Sequence, residues 1–305
     1  MLSKAFQRLQ TSEGVILQEA RRGFAVNEKQ IKLRMKSVQS IEKITKAMKM
    51  VAASKMRGEL TRLEAGKRFG FNSVDMIFKS DAYLQRKAPA LDMHDASEFI
   101  IPLSSDRGLC GGINSSIVRE IKGYVKDRNR SKIRIMPVGE KGSVAMIRPF
   151  PDMMKMSISD IGSPSNYPTI MAIADQIQRD SEGSDKIVVY YNEFKSAISQ
   201  IIRRMELMPR KRFLDTMKFA RLYNQKLPDK NTSNPALYDL YLTSNLWIAF
   251  LNNAASEQSA RMNAMENASK NAREIVEKLN LQYNKARQAR ITMELVEIIS
   301  GASAL

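Results

Sequence analysis

From Val26 to Arg57 the chain carries neither glycine nor proline, and strong helix formers fill the stretch. Apolar residues at Ile41, Ile44, Met48 and Val51 recur at steps of three and four, the spacing of a coiled-coil seam. Ile31, Met35 and Val38 run ahead of them on a neighbouring stripe. Gly58, Gly66 and Gly70 weaken this helix without marking a clear end. The far end of the chain has the same texture on a larger scale. Asn234 followed by Pro235 reads as an N-cap with proline at the first helical position. No glycine or proline follows until Gly301. Sixty-odd residues at 1.5 Å rise make a helix of roughly 100 Å. Its last third carries Ile275, Leu279, Gln282, Ala286, Ala289, Met293 and Val296, again at steps of four and three. A lone helix of that length cannot bury its stripe and needs a companion. The N-terminal seam is the one available, and because the two segments lie at opposite chain ends the pairing is expected to be antiparallel.

Between the ends the pattern changes. Short apolar runs at 99–103, 133–138, 186–191 and 196–204 read as strands, and 114–129, 139–147 and 168–180 as helices. That alternation predicts a small α/β domain with a mostly parallel sheet. The basic strip 209–234, interrupted by Pro228, reads as the connector back to the long helix. The expected organisation is residues 1–25 as a removable targeting segment, 26–96 as the first long helix and its extension, 97–210 as the α/β domain, and 211–305 as connector and second long helix.

Composition narrows the chemistry. Of 305 residues 43% are apolar, which supports a folded core, and no apolar run reaches the length of a membrane span. Lys and Arg number 49 against 32 Asp and Glu, so an acidic partner is expected, whether nucleic acid, membrane surface or protein. A single Cys110 and a single His94 leave too few ligands for a Cys/His zinc site. His94 lies in a polar stretch and reads as a solvated loop residue. The first residues, MLSKAFQRL and then Arg21–Arg22 before Gly23, resemble a mitochondrial transit peptide, although Glu13 and Glu19 are unusual in one.

The glycine-rich run at 104–116 follows a strand and precedes a helix, where backbone N–H groups can cradle phosphate. It fits neither GxxxxGK[ST] nor GxGxxG, and GEKG at 139–142 lacks the rest of a fingerprint, so a tight strand-to-helix turn is the favoured reading. The acidic residues form no acid/base or metal pair, and the nineteen methionines read as adaptable packing. Basic residues line both terminal helices, but aromatics avoid those stretches, which argues against single-stranded nucleic acid. From the residues alone a coiled-coil interaction protein is favoured. A nucleic-acid binder and an enzyme built on the α/β domain stay open.

Three segments carry a family resemblance. IKLRMKSVQSIEKITKAMKMVAASKMR at 31–57 closely resembles the N-terminal helix of ATP synthase γ subunits, and SSDRGLCGGIN at 104–114 resembles their central turn. SEQSARMNAMENASKNA at 256–272, continuing through 283–305, resembles their C-terminal signature. Residues 59–97 match no motif of that family.

The resemblance implies a long antiparallel coiled coil of the terminal helices plus a Rossmann-like α/β domain with a mostly parallel sheet. It implies a rotor shaft, one copy per complex, partnered by the α and β subunits of the catalytic head, the small central-stalk subunits (δ/ε) and the membrane c-ring. Catalytic residues, cofactors, metals and nucleic acid are expected to be absent, because the chemistry belongs to β. By motif position, Met48, Lys49, Arg261, Gln288, Thr292 and Glu294 are the expected contacts with the head, and ISGASAL matches a tip that turns in an apolar sleeve. The regulatory dithiol of chloroplast γ subunits is impossible with Cys110 alone. With the N-terminal segment, that points to a peripheral protein on the matrix side of the mitochondrial inner membrane, a bacterial origin being left open.

Overall fold

The computed structural model describes residues 2–68, 96–217 and 230–303, with side chains at 28–68, 96–215 and 234–303. His94, Gly70, Pro228 and the last two residues of ISGASAL therefore lie outside the described residues. In order the elements are α1 (Leu2–Gly66), β1 (Glu98–Pro102), α2 (Ile113–Lys126), β2 (Ile133–Ile135), α3 (Glu140–Ile147), α4 (Tyr167–Asp180), β3 (Lys186–Phe194), β4 (Gln200–Leu207), α5 (Arg210–Met217) and α6 (Lys230–Ser303). They form two compact units, one of residues 1–48 with 265–305, the other of residues 49–264.

The first unit is a pair of helix segments. Arg290 Nε lies 2.8 Å from Glu28 Oε2, and Arg273 Nε lies 3.3 Å from Glu42 Oε1. As the number rises along α1 it falls along α6, so the pair is antiparallel. These half-exposed ion pairs contribute under ~1 kcal/mol each and serve register more than stability. The inward line of α1 is Glu28, Ile31, Met35, Val38, Glu42 and Thr45. That of α6 is Ala272, Val276, Leu279, Tyr283, Ala286, Arg290, Met293 and Glu297. Both lines step by three and four, the knobs-into-holes repeat of two helices.

The expected seam is corrected here. Ile41 and Ile44 are 49% and 58% exposed, and Ile275 and Val296 are 42% and 48% exposed. Gln282 also points outward, and in the second unit so does Val51. The expected α1 line sits one residue behind the observed one, a rotation of about 100° about the helix axis. The physical reason is the 3.5-residue repeat that starts at Ile31, Met35 and Val38. Continued from Val38, it turns inward at Glu42 and Thr45 and carries Ile41 and Ile44 to the outside. On α6 the expected and observed lines share Leu279, Ala286 and Met293 and part by one residue between them.

In the second unit the sheet order is β2-β1-β3-β4, with β1 parallel to β2 and β3, and β3 antiparallel to β4. The mostly parallel sheet and its four strands are as expected. β1 and most of β3 are buried, as a sheet covered on both faces demands. Because strand side chains alternate, Phe99, Ile101, Ile187 and Val189 face one layer and Ile100, Val188 and Tyr190 the other. The first layer is α4, α5 and the start of α6, through Ile173, Phe213, Tyr238, Leu242 and Leu246. The second is α2 and α3, through Ile117, Ile121 and Met146. Phe213 packs edge-on to Tyr238 at 5.3 Å between centroids and stacks on Tyr241 at 5.2 Å, seating the helix on the sheet.

Two local readings also change. α6 begins at Lys230, so Asn234 is not its cap and Pro235 lies inside the helix. A proline this near an N-terminus removes one early hydrogen bond and leaves the remaining turns intact. Gly66 is a packing residue, since a Cβ there would lie 2.3 Å from Leu251 Cδ1, and α1 could not approach α6 so closely.

The observed seam makes a direct prediction. Leu279→Ala, at 5% exposure, is expected to cost about 2–4 kcal/mol, and Ile275→Ala, one turn away at 42%, under about 1 kcal/mol. Thermal unfolding of the full chain measures both, and equal costs would restore the expected seam.

Candidate interaction surface

With the seam turned one residue, aliphatic side chains are left on the outside of the paired helices. Leu33, Ile41 and Ile44 are 60%, 49% and 58% exposed on α1. On α6, Ile291, Leu295, Val296, Ile298 and Ile299 are 43–67% exposed within three turns. A two-helix rod has an interior one residue wide, so it cannot cover this many apolar groups itself. Clustered exposed aliphatic groups of this kind, one set on each helix, mark places where another protein sits. Lys43 and Lys46 flank the set on α1 and are solvent-exposed.

The glycine-rich run is a strut. Asp106 Oδ1 accepts from the backbone N of Glu140 and Oδ2 from that of Ile161, both at 3.0 Å. The carboxylate thereby takes up the first N–H of α3, the position an anion would need. Gly139 of GEKG has φ +104, and a Cβ on it would lie 2.4 Å from the Ser104 carbonyl, so that glycine serves close strand-to-helix approach. Arg261, only 9% exposed, donates to the carbonyls of Arg107 and Gly108 at 3.4 Å and to Glu257 Oε1 at 2.6 Å. One buried guanidinium thus ties the turn to α6. Burial pushes the Glu257 carboxyl above its usual range, Asp106 and Glu59 push the same way, and Arg261 opposes them.

Two further buried charges, Glu98 and Lys186, are satisfied within the sheet. Glu98 lies 2.9 Å from Lys186 Nζ, is paired with Arg128, and accepts from the Tyr124 hydroxyl at 2.8 Å. The cluster sits at the N-terminal ends of β1 and β3, whereas open α/β sheets bind ligands at the carboxyl ends of their strands. It reads as a structural ion network.

Residues 27–305 match the family described as ATP synthase. The mitochondrial ATP synthase F(1) complex subunit gamma of Dictyostelium discoideum is 33% identical over 91% of this chain and 91% of its own length. The mitochondrial ATP synthase subunit gamma of Arabidopsis thaliana is 34% identical over 92% of this chain and 86% of its own. The chain belongs to the ATP synthase gamma family. Among solved structures, a chain of the Tetrahymena thermophila mitochondrial ATP synthase central stalk and c-ring is 44% identical, with TM-score 0.68 over 74% of this chain and 99% of that one. A Euglena gracilis mitochondrial ATP synthase chain at 21% identity shares the fold, with TM-score 0.76 over 91% of this chain and 94% of that one.

The residues matched to this gamma family by motif fall in different settings. Met48 and Lys49 are half-buried. Gln288 and Thr292 are exposed one turn apart, the Thr292 hydroxyl donating to the Gln288 carbonyl at 2.9 Å, and Glu294 lies 3.3 Å from Arg290. The register of the ion pairs separates Met48 from Gln288 by about twenty residues along the rod, roughly 30 Å. These residues do not converge on one site; they line a rod. Arg261 stands apart from them, its donors directed to its own chain. The sequence reading missed Arg62, which donates to the Ser165 carbonyl, pairs with Glu59 at 2.9 Å and lies 5.6 Å from the Trp247 ring centroid. No local pattern around Arg62 announces a partner a hundred residues away.

Arg261→Ala is expected to cost about 3 kcal/mol, because it strands a buried carboxylate and frees the turn. The folded chain holds the Glu257 proton more tightly than the unfolded chain. That group's contribution is therefore complete below the ordinary glutamate range and is lost as pH rises through the raised folded value. Removing Arg261 raises that value further, so the deficit should widen from mildly acidic to neutral pH. Melting curves across that window check it, and a pH-independent deficit would contradict the buried pairing.

Proposed function

We infer that this chain is the non-catalytic central shaft of a mitochondrial F-type ATP synthase, coupling rotation of the membrane c-ring to the conformational cycle of the catalytic β subunits and so to ATP synthesis. The observation that carries this is the antiparallel pair, registered by Glu28–Arg290 and Glu42–Arg273, with its aliphatic side chains turned outward. A shaft must be stiff along its axis and must offer surroundings that hold it loosely. The paired helices supply stiffness. The outward Ile, Leu and Val groups supply contact without directional bonds, which suits a surface that meets three equivalent subunits in turn.

On this reading the α and β subunits enclose the rod, and the α/β domain meets the small central-stalk subunits and the c-ring. One copy serves each complex, on the matrix face of the inner membrane. The central-stalk and c-ring relatives and the mitochondrial gamma subunits support that placement. Met48, Lys49, Gln288, Thr292 and Glu294 are the contacts proposed with the head. Arg261 acts with them through the 105–112 turn that it braces. Residues 1–25 are proposed as a transit peptide, supported by the start of the family match at residue 27.

The experiment is reconstitution of the full chain with ATPase α and β subunits and the membrane sector. The chain should co-purify with α and β, and failure to do so overturns the shaft. Met48→Lys should leave ATP hydrolysis largely intact while proton pumping per ATP falls severalfold. Unchanged pumping efficiency would remove Met48 from the contact surface.

A further inference from the structure

One face of α6 makes a set of contacts that the apolar core does not account for. Asn253, Ser256, Ser259 and Asn263 recur at steps of three and four along the helix. Asn253 Oδ1 accepts from Asn192 Nδ2 at 3.2 Å and from the Asn192 backbone N at 3.4 Å. The Ser256 hydroxyl donates to the Asn192 carbonyl at 3.0 Å. The Ser259 hydroxyl and Asn263 Nδ2 both donate, at 2.7 Å, to the carbonyl of Ala197 in the turn between β3 and β4. Asn192, Ser256 and Ser259 are at most 1% exposed and Asn253 7%, so water competes little for the bonds to Asn192, while Ala197 and Asn263 are half-buried.

We propose that this polar ladder fixes the rotational and axial phase of the α/β domain on α6, making these residues the positioning element that transmits torque from the domain to the shaft. The inference rests on the shaft reading above. Below the ladder, α6 meets the sheet through Tyr238, Leu242, Leu246, Ala249 and Phe250. Such packing holds the layers together, but its attraction is non-directional and sets the phase only through side-chain shape. Hydrogen bonds are directional and weaken steeply when misaligned. Five of them, spread over three turns of helix, resist both rotation of the helix about its axis and sliding along it. The Ala197 carbonyl suits this role because the closing bonds of its own turn run between Lys195, Ser196 and Ser199 and leave it to the helix. The ladder also buries Asn192 Oδ1 without a partner among the described residues, a penalty that a wholly apolar contact would avoid. A device that sets geometry justifies that penalty; one that only adds stability does not.

Ser259→Ala with Asn263→Asp tests this in the assembled complex. The first removes a donor without adding bulk, and the second replaces an amide donor by an acceptor facing the same carbonyl. Two readouts separate the outcomes. Amide exchange in 194–200 should quicken about tenfold, reporting loss of two hydrogen bonds. ATP hydrolysis should hold while proton pumping per ATP falls severalfold. Quickened exchange with unchanged pumping per ATP overturns the proposal. Loss of recovery with α and β by the parent chain overturns the shaft reading instead. If the double variant is not recovered, Asn263→Asp alone gives the same two readouts with one bond lost.

Discussion

Past residue 264 the 74-residue α6 leaves the α/β domain and carries an apolar stripe that no short element covers, and the paired-helix architecture follows from that constraint. Only a second long helix can run beside it, and the chain supplies one at its opposite end, which returns antiparallel. The pairing buries one line of side chains on each partner and no more. The remaining aliphatic residues stay on the outside, where a surrounding protein can use them. A shaft and its bearing surface thus come from one geometric limit, the width of a two-helix interface.

The interior of that pair mixes large apolar residues with small and charged ones. Glu28, Glu42, Thr45, Ala272, Ala286, Arg290 and Glu297 occupy inward positions, and the apolar bulk comes from Ile31, Met35, Val38, Val276, Leu279, Tyr283 and Met293. Charges in the seam give up stability for register, since an ion pair tolerates only the alignment that brings its partners together. The α/β domain shows a comparable division of labour. Apolar layers on both sheet faces supply the stability, and buried polar groups on α6, Arg261 and the Asn253–Asn263 series, decide where the domain stands on the helix.

Much of this was legible in the sequence. Strands with β-branched runs such as KIVVYY, and helices with four apolar residues per two turns such as INSSIVREIKGYVK, declare themselves because local period and burial agree. Residues 31–57 declared a helix and a seam but not which of two stripes faces inward, because Val38 can be followed by Ile41 or by Glu42 at heptad spacing. Hydrophobicity favours the first; the partner helix, through Arg273 on Glu42, selects the second. Asn234–Pro235 looked like a helix start because cap preferences are local, and upstream residues that can also be helical override them. Arg261 was legible as an important residue but not as an internal strut, since the acceptors that make it one are backbone carbonyls 153 and 154 residues away. The polar series on α6 left a visible trace, uncharged Asn and Ser at helical spacing, whose meaning depended on knowing which strand lay opposite.

The direction of the pairing is the claim on which the account stands, and distances between spin labels on the full chain measure it. Label pairs at Leu33 with Leu281 and at Ile44 with Lys270 should both report the separation of two packed helices, ~10 Å between axes plus the label arms. Helices running the same way could satisfy one pair but would displace the other by about 33 Å along the rod, since the two pairs differ by 22 residues in relative offset. Two short distances are the predicted result, and one short with one long would contradict it.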